Sequence, residues 1–461
     1  MKEKLGYGFG DLASVLYWQT FMLYFTYFYT DVFLLPAGIA ATMFLISRIF
    51  DGINDPFMGI IADRTNTKYG KFRPYLLWLC VPFAIGGVLV FTTPNFGLTG
   101  KTIWAYSTFI LIMVLYTAIN IPYTSLLGVI SADSKERTTV SSVKFIFAFA
   151  AGIIVSATLL PMAKGLGGGN DAKGWQLSFV VYGIAAIIFF LIAFSSTKER
   201  VHPPKTQKTS VKNDLIDLVT NRPWLILLAT TITFILFVAV RGSVTVHYFK
   251  YFVGTQTLNL PLIGSGEHDF VTLASTYNTV GQISSLLGVF LVTWFAKVVG
   301  KKKAFIISFI VAIFSTGIIY FLNAQQLGLI FFFQITGSMS GGPLSVLLWA
   351  MYADTADYAE WKKGRRATGL VFSASTMSQK IGWALGAYVA LTLMAQLGFQ
   401  PNEAQSSESL RGLLLLFSLI PAGMGVLSIF ISLTYPLNDH RVQEITDELS
   451  ARRQVNGDLV E

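Results

Sequence analysis

Charge is scarce in this chain: Asp, Glu, Lys and Arg make up 13% of its 461 residues, against about 25% in an average soluble domain. A water-facing surface cannot be covered with so few ionic groups, and 53% of the residues are hydrophobic. Cysteine is nearly absent as well. The single Cys80 lies inside an apolar run, which excludes an intramolecular disulfide and a cysteine-built metal centre and leaves it as a small core residue. Histidine is limited to His202, His247, His268 and His440, scattered over loops and one outer helix end, so no catalytic set is apparent and an enzyme is not expected. Long polar stretches are lacking too, so no soluble output domain of a sensor or receptor is apparent; the tail after Pro436 is only about twenty-six residues. The net charge of +9 has no basic domain to sit on, and nucleic acid is not an expected partner.

What is present is a succession of apolar runs, each long enough for a hydrocarbon core that needs about 20 helical residues. They fall near 6–34, 37–62, 74–93, 102–130, 139–163, 175–196, 222–252, 270–297, 302–322, 326–352, 368–398 and 410–435. Their length and lack of alternation favour helices over barrel strands. The first run lacks a cleavage site and is expected to be retained. Of 34 basic residues, 25 lie at the amino end, in the loops after even-numbered runs and in the tail, which places both termini in the cytoplasm. The expectation is an all-α, multi-pass protein of a bacterial-type inner membrane, with the lipid bilayer as its surroundings.

The charged stretch 197–221 divides the chain into a six-helix bundle at 1–196 and another at 222–435, followed by a cytoplasmic tail at 436–461. A weak internal echo supports the division. Gly59, Asp63, Arg64, Gly70, Lys71 and Arg73, after the second run, correspond loosely to Gly288, Lys297, Gly300 and the run Lys301, Lys302, Lys303 after the eighth, where the Asp-Arg pair is missing. Two such repeats usually build paired bundles around a cavity. The pattern GIIADRTNTKYGKFR at 59–73 resembles the loop signature of the major facilitator superfamily.

Four basic residues, Arg48, Lys144, Arg241 and Lys380, fall inside runs. The second run also carries Asp51, Asn54 and Asp55. A charge at the bilayer centre costs a few kcal/mol even on lenient scales, so these need partners or water. Arg48, Asp51 and Asp55 are spaced three and four apart and share one helical face. Arg48 can neutralise one acid; a static ion-pair cluster is the alternative to a reversible cation ligand. Two carboxylates and an amide offer hard oxygens to Na⁺, Li⁺ or a proton. At about 1.5 Å per residue, Asp51 lies roughly 21 Å and Thr117 roughly 22 Å from the outer ends of their runs, with Asn120 one turn below. These groups can therefore meet. Lys380, about 18 Å from the inner edge, is flanked by Thr376, Gln379 and Trp383. Lys144 suits a snorkelling anchor, Arg241 an outer pairing residue, and Trp18 beside Gln19 a stacking and polar pair for a sugar.

The blocks KLGYGFGDLASVLYWQTF, RIFDGINDPFMGIIADRTNTKYGKFRPYLLW, NIPYTSLLGVISADSKERT, NRPWLIL and WAMYADTADYAEWKKGRRATGL together resemble the glycoside-pentoside-hexuronide:cation symporters of the major facilitator superfamily. The resemblance covers nearly the whole chain. It implies twelve helices, alternating access, and symport of a small sugar with a monovalent cation, Na⁺ first and otherwise Li⁺ or H⁺, with no bound cofactor. The family's cation site then falls on Asp51, Asn54, Asp55 and Thr117, with Arg48 as charge partner. Its sugar site falls on Tyr116, Lys144, Thr376 and Lys380, to which Trp18, Gln19, Asn120, Thr124 and Trp383 are added. Where the melibiose-carrying branch has acids on the first and fourth helices this chain has Val15 and Asn120, and Thr124 replaces a tryptophan. With Lys144 and Lys380 kept, a less negative pocket suits an anionic uronide or a different pyranoside. A sodium-coupled lysolipid carrier is the alternative substrate class, and a membrane sensor the alternative outside transport.

Overall fold

In hydrocarbon every backbone donor must be satisfied within its own segment, and helices do this. A computed structural model of the protein describes residues 2–130, 134–200, 218–260, 264–363 and 368–456. Within them run α1 (Lys2–Tyr27), α2 (Ala37–Arg64), α3 (Arg73–Val90), α4 (Leu98–Ile130), α5 (Ser134–Gly167), α6 (Asp171–Ser196), α7 (Arg222–His247), α8 (Phe270–Val299) and α9 (Lys301–Gly317). Then follow α10 (Leu327–Gly341), α11 (Leu344–Lys363), α12 (Thr368–Gln396), α13 (Ser407–Phe417), α14 (Leu419–Leu433) and α15 (Asp439–Asn456). Nine spans among the described residues are long and apolar enough to cross a membrane, α10 with α11 and α13 with α14 each counting as one. The helices that complete twelve, α1, α2 and α12, carry Asp11, Asp51, Asp55 and Lys380.

Several features depart from uninterrupted helices. The tenth run is two helices, because Pro343 has no amide to donate and its ring opposes the preceding turn. The twelfth breaks at Ser418. α1 and α7 both end in wider π turns, Phe28–Val32 and Tyr248–Val253, the second stopped by Gly254 at φ +67°. An antiparallel hairpin, β1 (Gln256–Leu260) and β2 (Gly264–His268), precedes α8, with Gln256 opposite His268. The tail is not a plain extension: α15 buries Ile445 and Leu449 in a hydrophobic cluster with Tyr352 and Leu348, and Trp361 Nε1 donates to Glu448 at 2.6 Å. Of the central linker, residues 201–217 lie outside the described residues.

Backbone contacts divide the chain into two compact units. One holds Met1–Lys205, Gly242–Gln282 and Ala387–Leu414; the other holds Thr206–Arg241, Ile283–Gly386 and Leu415–Glu461. Lipid tails are as apolar as leucine, so these units cohere through close packing more than through transfer from water. In the first, Phe91 stacks on Phe179 at 3.7 Å and Tyr17 meets Phe83 at 4.2 Å. The tyrosines of α1 serve this packing: Tyr7, Tyr17, Tyr24 and Tyr27 are buried. In the second, Phe305, Phe309, Phe234 and Phe237 pack edge to face.

The echo between the sequence halves has a structural counterpart in two helix caps. In the first unit, the amides of Lys71, Phe72 and Arg73, at the start of α3, donate to the Glu199 carboxylate at 2.8, 2.8 and 3.0 Å. In the second, the Lys301 amide that opens α9 donates to Asp439 at 3.0 Å. Each acid follows the last membrane helix of its sequence half, and each satisfies amides that have no partner in their own helix. The residue before each cap is a glycine with positive φ, Gly70 at +108° and Gly300 at +89°. A β-carbon at Gly70 would stand 2.5 Å from the Glu199 carboxyl. Gly70→Ala is therefore expected to cost about 1–3 kcal/mol, seen as a lower melting temperature in detergent. Gly97→Ala, where no atom lies within 4 Å of the new carbon, should leave it unchanged.

Candidate cation and sugar site

α2 and α4 pack side by side, and their contact brings together the residues singled out by charge. Thr117 Oγ1 lies 2.8 Å from Asp51 Oδ1 and 3.0 Å from Asp55 Oδ1. Asp51 and Thr117 are each only 1% exposed, while Asp55 and Asn54 are half-buried. One hydroxyl carries one proton and can donate it fully to only one of the two acids. The arrangement thus gathers two carboxylate oxygens and one hydroxyl oxygen, all hard donors, at one point. Among the described residues no three His, Cys, Asp or Glu side chains converge as they would for a multivalent metal. A donor set of two carboxylates and a hydroxyl fits a monovalent ion or a proton. The side chain of Arg48, the expected charge partner, lies outside the described residues.

Tyr116, next to Thr117 on α4, faces Trp18 of α1 with ring centroids 5.6 Å apart and planes inclined by 30°. An aromatic pair therefore joins α1 to α4 one residue along the chain from Thr117. Gln19 follows Trp18 and points to Gly152 of α5, where Gln282 of α8 also arrives: a β-carbon at Gly152 would be 3.2 Å from Gln282 Oε1 and 3.9 Å from Gln19 Cδ. The Thr124 hydroxyl turns back into its own helix, donating to the carbonyls of Asn120 and Ile121 at 3.0 and 2.9 Å. Asn120 itself is half-buried. Thr376, Lys380 and Trp383 recur at helical spacing on α12, within the other unit; Lys380 and Trp383 are half-buried and Thr376 is exposed.

Lys144 is not a snorkelling anchor. Its Nζ lies 3.5 Å from Asp11 Oδ1, and it also sits 5.9 Å from the centre of the Tyr123 ring. Asp11 is 6% exposed and went unnoticed in the sequence. Its spacing to Val15 and Trp18, four and seven residues on, is the signal that could have found it, since these positions share one face of α1. Arg241 donates to the Thr316 hydroxyl at 3.2 Å and lies over the Phe417 ring.

A second charged cluster, wholly inside the first unit, was not foreseen. Asp31, beyond the end of α1, has a fully buried side chain that accepts Lys250 Nζ at 2.7 Å and faces His247 Nε2 at 3.0 Å. Thr30 donates to the same carboxylate at 2.7 Å, and the Tyr251 hydroxyl joins it. Asn402, in the connection after α12, donates its side-chain amide to the Asp31 carbonyl at 2.8 Å and accepts from Lys250. Three distant stretches of chain are thereby tied together at the extracytoplasmic end of α1. Nearby, Lys164 pairs with Asp269, which also caps α8 through the Thr272 amide at 3.0 Å. Burial would raise the Asp269 carboxyl, but Lys164 and Thr272 outweigh it and hold the group below the usual carboxylate range.

A sequence model of the MFS/sugar transport protein family matches residues 6–439. The chain belongs to that family. Within it, the chain falls among the glycoside-pentoside-hexuronide:cation symporters. It is 35% identical to the inner membrane symporter YicJ of Escherichia coli (strain K12), over 98% of this chain and 95% of the relative. It is 36% identical to the provisionally named glycoside/cation symporter YagG of the same strain, over 100% and 97%. The isoprimeverose transporter of Lactiplantibacillus pentosus shares 35% over 93% and 87%. Among solved structures, the nucleoside transporter NupG superposes with a TM-score of 0.62 at 13% identity, over 94% of this chain and 99% of that one. A proton-dependent oligopeptide transporter superposes with a TM-score of 0.66 at 11% identity, over 97% and 99%. These likenesses show the fold alone. Family membership and fold make the protein a multi-pass inner-membrane protein of twelve helices in two six-helix bundles, with both termini cytoplasmic.

Proposed function

We propose that the chain is a secondary active transporter that carries a glycoside, pentoside or hexuronide inward together with a monovalent cation. The cation rests on Asp51 and Asp55, with Thr117 and Asn54 completing its oxygens. Trp18, Gln19 and Tyr116 hold the sugar, and the sequence halves 1–196 and 222–435 serve as the two moving bundles. The observation that carries this reading is the Thr117 hydroxyl shared by both acids, because it gathers two carboxylate oxygens and a neutral oxygen into one hard donor set of the kind a monovalent cation takes. The relatives support it: one is named a glycoside/cation symporter and another an isoprimeverose transporter. Relatives named as transporters fit a carrier better than an enzyme. Na⁺ is the first candidate on size and hardness of the ligands, with Li⁺ and H⁺ behind it.

Cation binding would raise sugar affinity, and by linkage sugar must raise cation affinity by the same factor. The test is uptake of labelled glycosides, pentosides and uronides by membrane vesicles, with Na⁺, Li⁺ and H⁺ gradients imposed separately. One gradient should accelerate uptake of at least one sugar by about tenfold, in line with a coupling energy of about 1–3 kcal/mol. Uptake indifferent to all three gradients would remove the reading.

A further inference from the structure

Lys144 is held by a carboxylate of its own unit, and this bears on which sugars the protein can accept. The Asp11–Lys144 pair joins α1 to α5 at 3.5 Å, with the acid almost fully buried and the lysine side chain 22% exposed. Eight residues further along each of these helices, about 12 Å at helical rise, Gln19 on α1 meets Gly152 on α5, and Gln282 closes the same point. The ion pair and the amide pair are therefore two successive rungs between the same helices. Val15 and Trp18 lie between them on α1, so the rungs bound the wall on which Trp18 and Tyr116 stack.

Both rungs favour uncharged ligands. Each side-chain amide at Gly152 offers donors and an acceptor, which match a sugar hydroxyl that also donates and accepts. A carboxylate only accepts, so it could use the amide N–H groups but not the Gln282 carbonyl oxygen, whereas a hydroxyl can use both. The lysine beneath has its charge already matched. A uronide would bring an anion toward the bilayer centre, where the lysine of this wall is already paired with Asp11.

Building on the sugar-transport reading, we infer that Asp11 is a specificity-determining residue: by holding the Lys144 ammonium it keeps the sugar-facing wall of α1 and α5 neutral, so that the carrier takes uncharged glycosides and rejects uronides. Asp11 acts through Lys144 and is a positioning residue. This reverses the expectation that retained lysines make the pocket suit an anionic sugar.

Matched probes separate charge from shape. Nitrophenyl glucoside and glucuronide, and the galactoside and galacturonide pair, differ only at the sixth carbon. Each is to compete, in vesicles holding the full chain, against the sugar found by the uptake panel. The wild type should favour the neutral member of a pair by about tenfold or more, the worth of one charge-assisted contact. Asp11→Asn should move that ratio toward the uronide by a similar factor, Asp11→Glu should restore it, and Asp11→Asn with Lys144→Met should return to neutral preference. A wild type that prefers the uronide overturns the inference while transport stands, and needs no variant to fold. A folded Asp11→Asn with an unmoved ratio overturns it too. If no sugar in the panel is carried under any gradient, the transport reading falls and the inference with it.

Discussion

Asp55→Cys is expected to abolish cation-stimulated sugar uptake while leaving the carrier in the membrane. Asp51 and Asp55 are one helical turn apart on α2, and both come within hydrogen-bonding distance of the Thr117 hydroxyl. An ion seated there interacts with two carboxylates at short range in a medium of low effective dielectric. At an effective constant near 20, one charge pair 4 Å apart is worth about 4 kcal/mol, of which a fraction is lost to desolvation. Removing one acid should therefore weaken cation binding by about 3 kcal/mol, more than a hundredfold in Kd. Thr117→Ala removes only a neutral ligand and should cost about tenfold or less. Asp55 is half-buried and its loss opens no large cavity, so folding should survive. Titration calorimetry with Na⁺, Li⁺ and acid, beside uptake, reads both effects. Gradient-driven accumulation at the wild-type level in Asp55→Cys would refute the assignment.

Asp31→Asn is expected to loosen the extracytoplasmic closure of the first unit. The Asp31 carboxylate is the negative centre of a cluster drawn from the end of α1, the end of α7 and the connection after α12. Breaking a buried pair by removing one partner costs about 3–5 kcal/mol, because the other charge is left in a poor environment. Lys250, with its side chain 17% exposed, can recover hydration only if α1 and α7 part. The variant should therefore populate a state in which these ends are open to water. A cysteine placed at Thr26, itself 2% exposed, reports it: labelling by a membrane-impermeant maleimide should rise at least about tenfold in the Asp31→Asn background. The native Cys80 is buried and contributes little background. Labelling equal in the two backgrounds would show that the cluster is packing without a gating role.

The two clusters differ in how far they could be read from sequence. Asp51 and Asp55 lie on one helix at a spacing of four, so periodicity alone puts them on one face. Helical rise placed Thr117 at the depth of Asp51, and the two are joined by a 2.8 Å hydrogen bond. Asp31 and Lys250 are separated by 219 positions, Asp11 and Lys144 by well over a hundred, and no local pattern links them. His247 looked like one of four scattered histidines and is instead buried against Asp31. The lysine at 144 shows the cost of the gap most clearly: its charge was visible, its partner was not, and the expected substrate charge changed with it.

Local chemistry was enough for the rest. Scarce charge and long apolar runs determined a membrane protein of twelve helices, because a segment in hydrocarbon must satisfy its own backbone and needs a set length to cross. Lysine and arginine in alternate loops determined orientation. The break of the twelfth span, the hairpin before α8, the caps from Glu199 and Asp439, and the pairing of Asp11 with Lys144 were decided only in three dimensions. Periodicity tells which face of a helix is polar. Which neighbouring helix turns its own polar face toward it depends on packing among all of them.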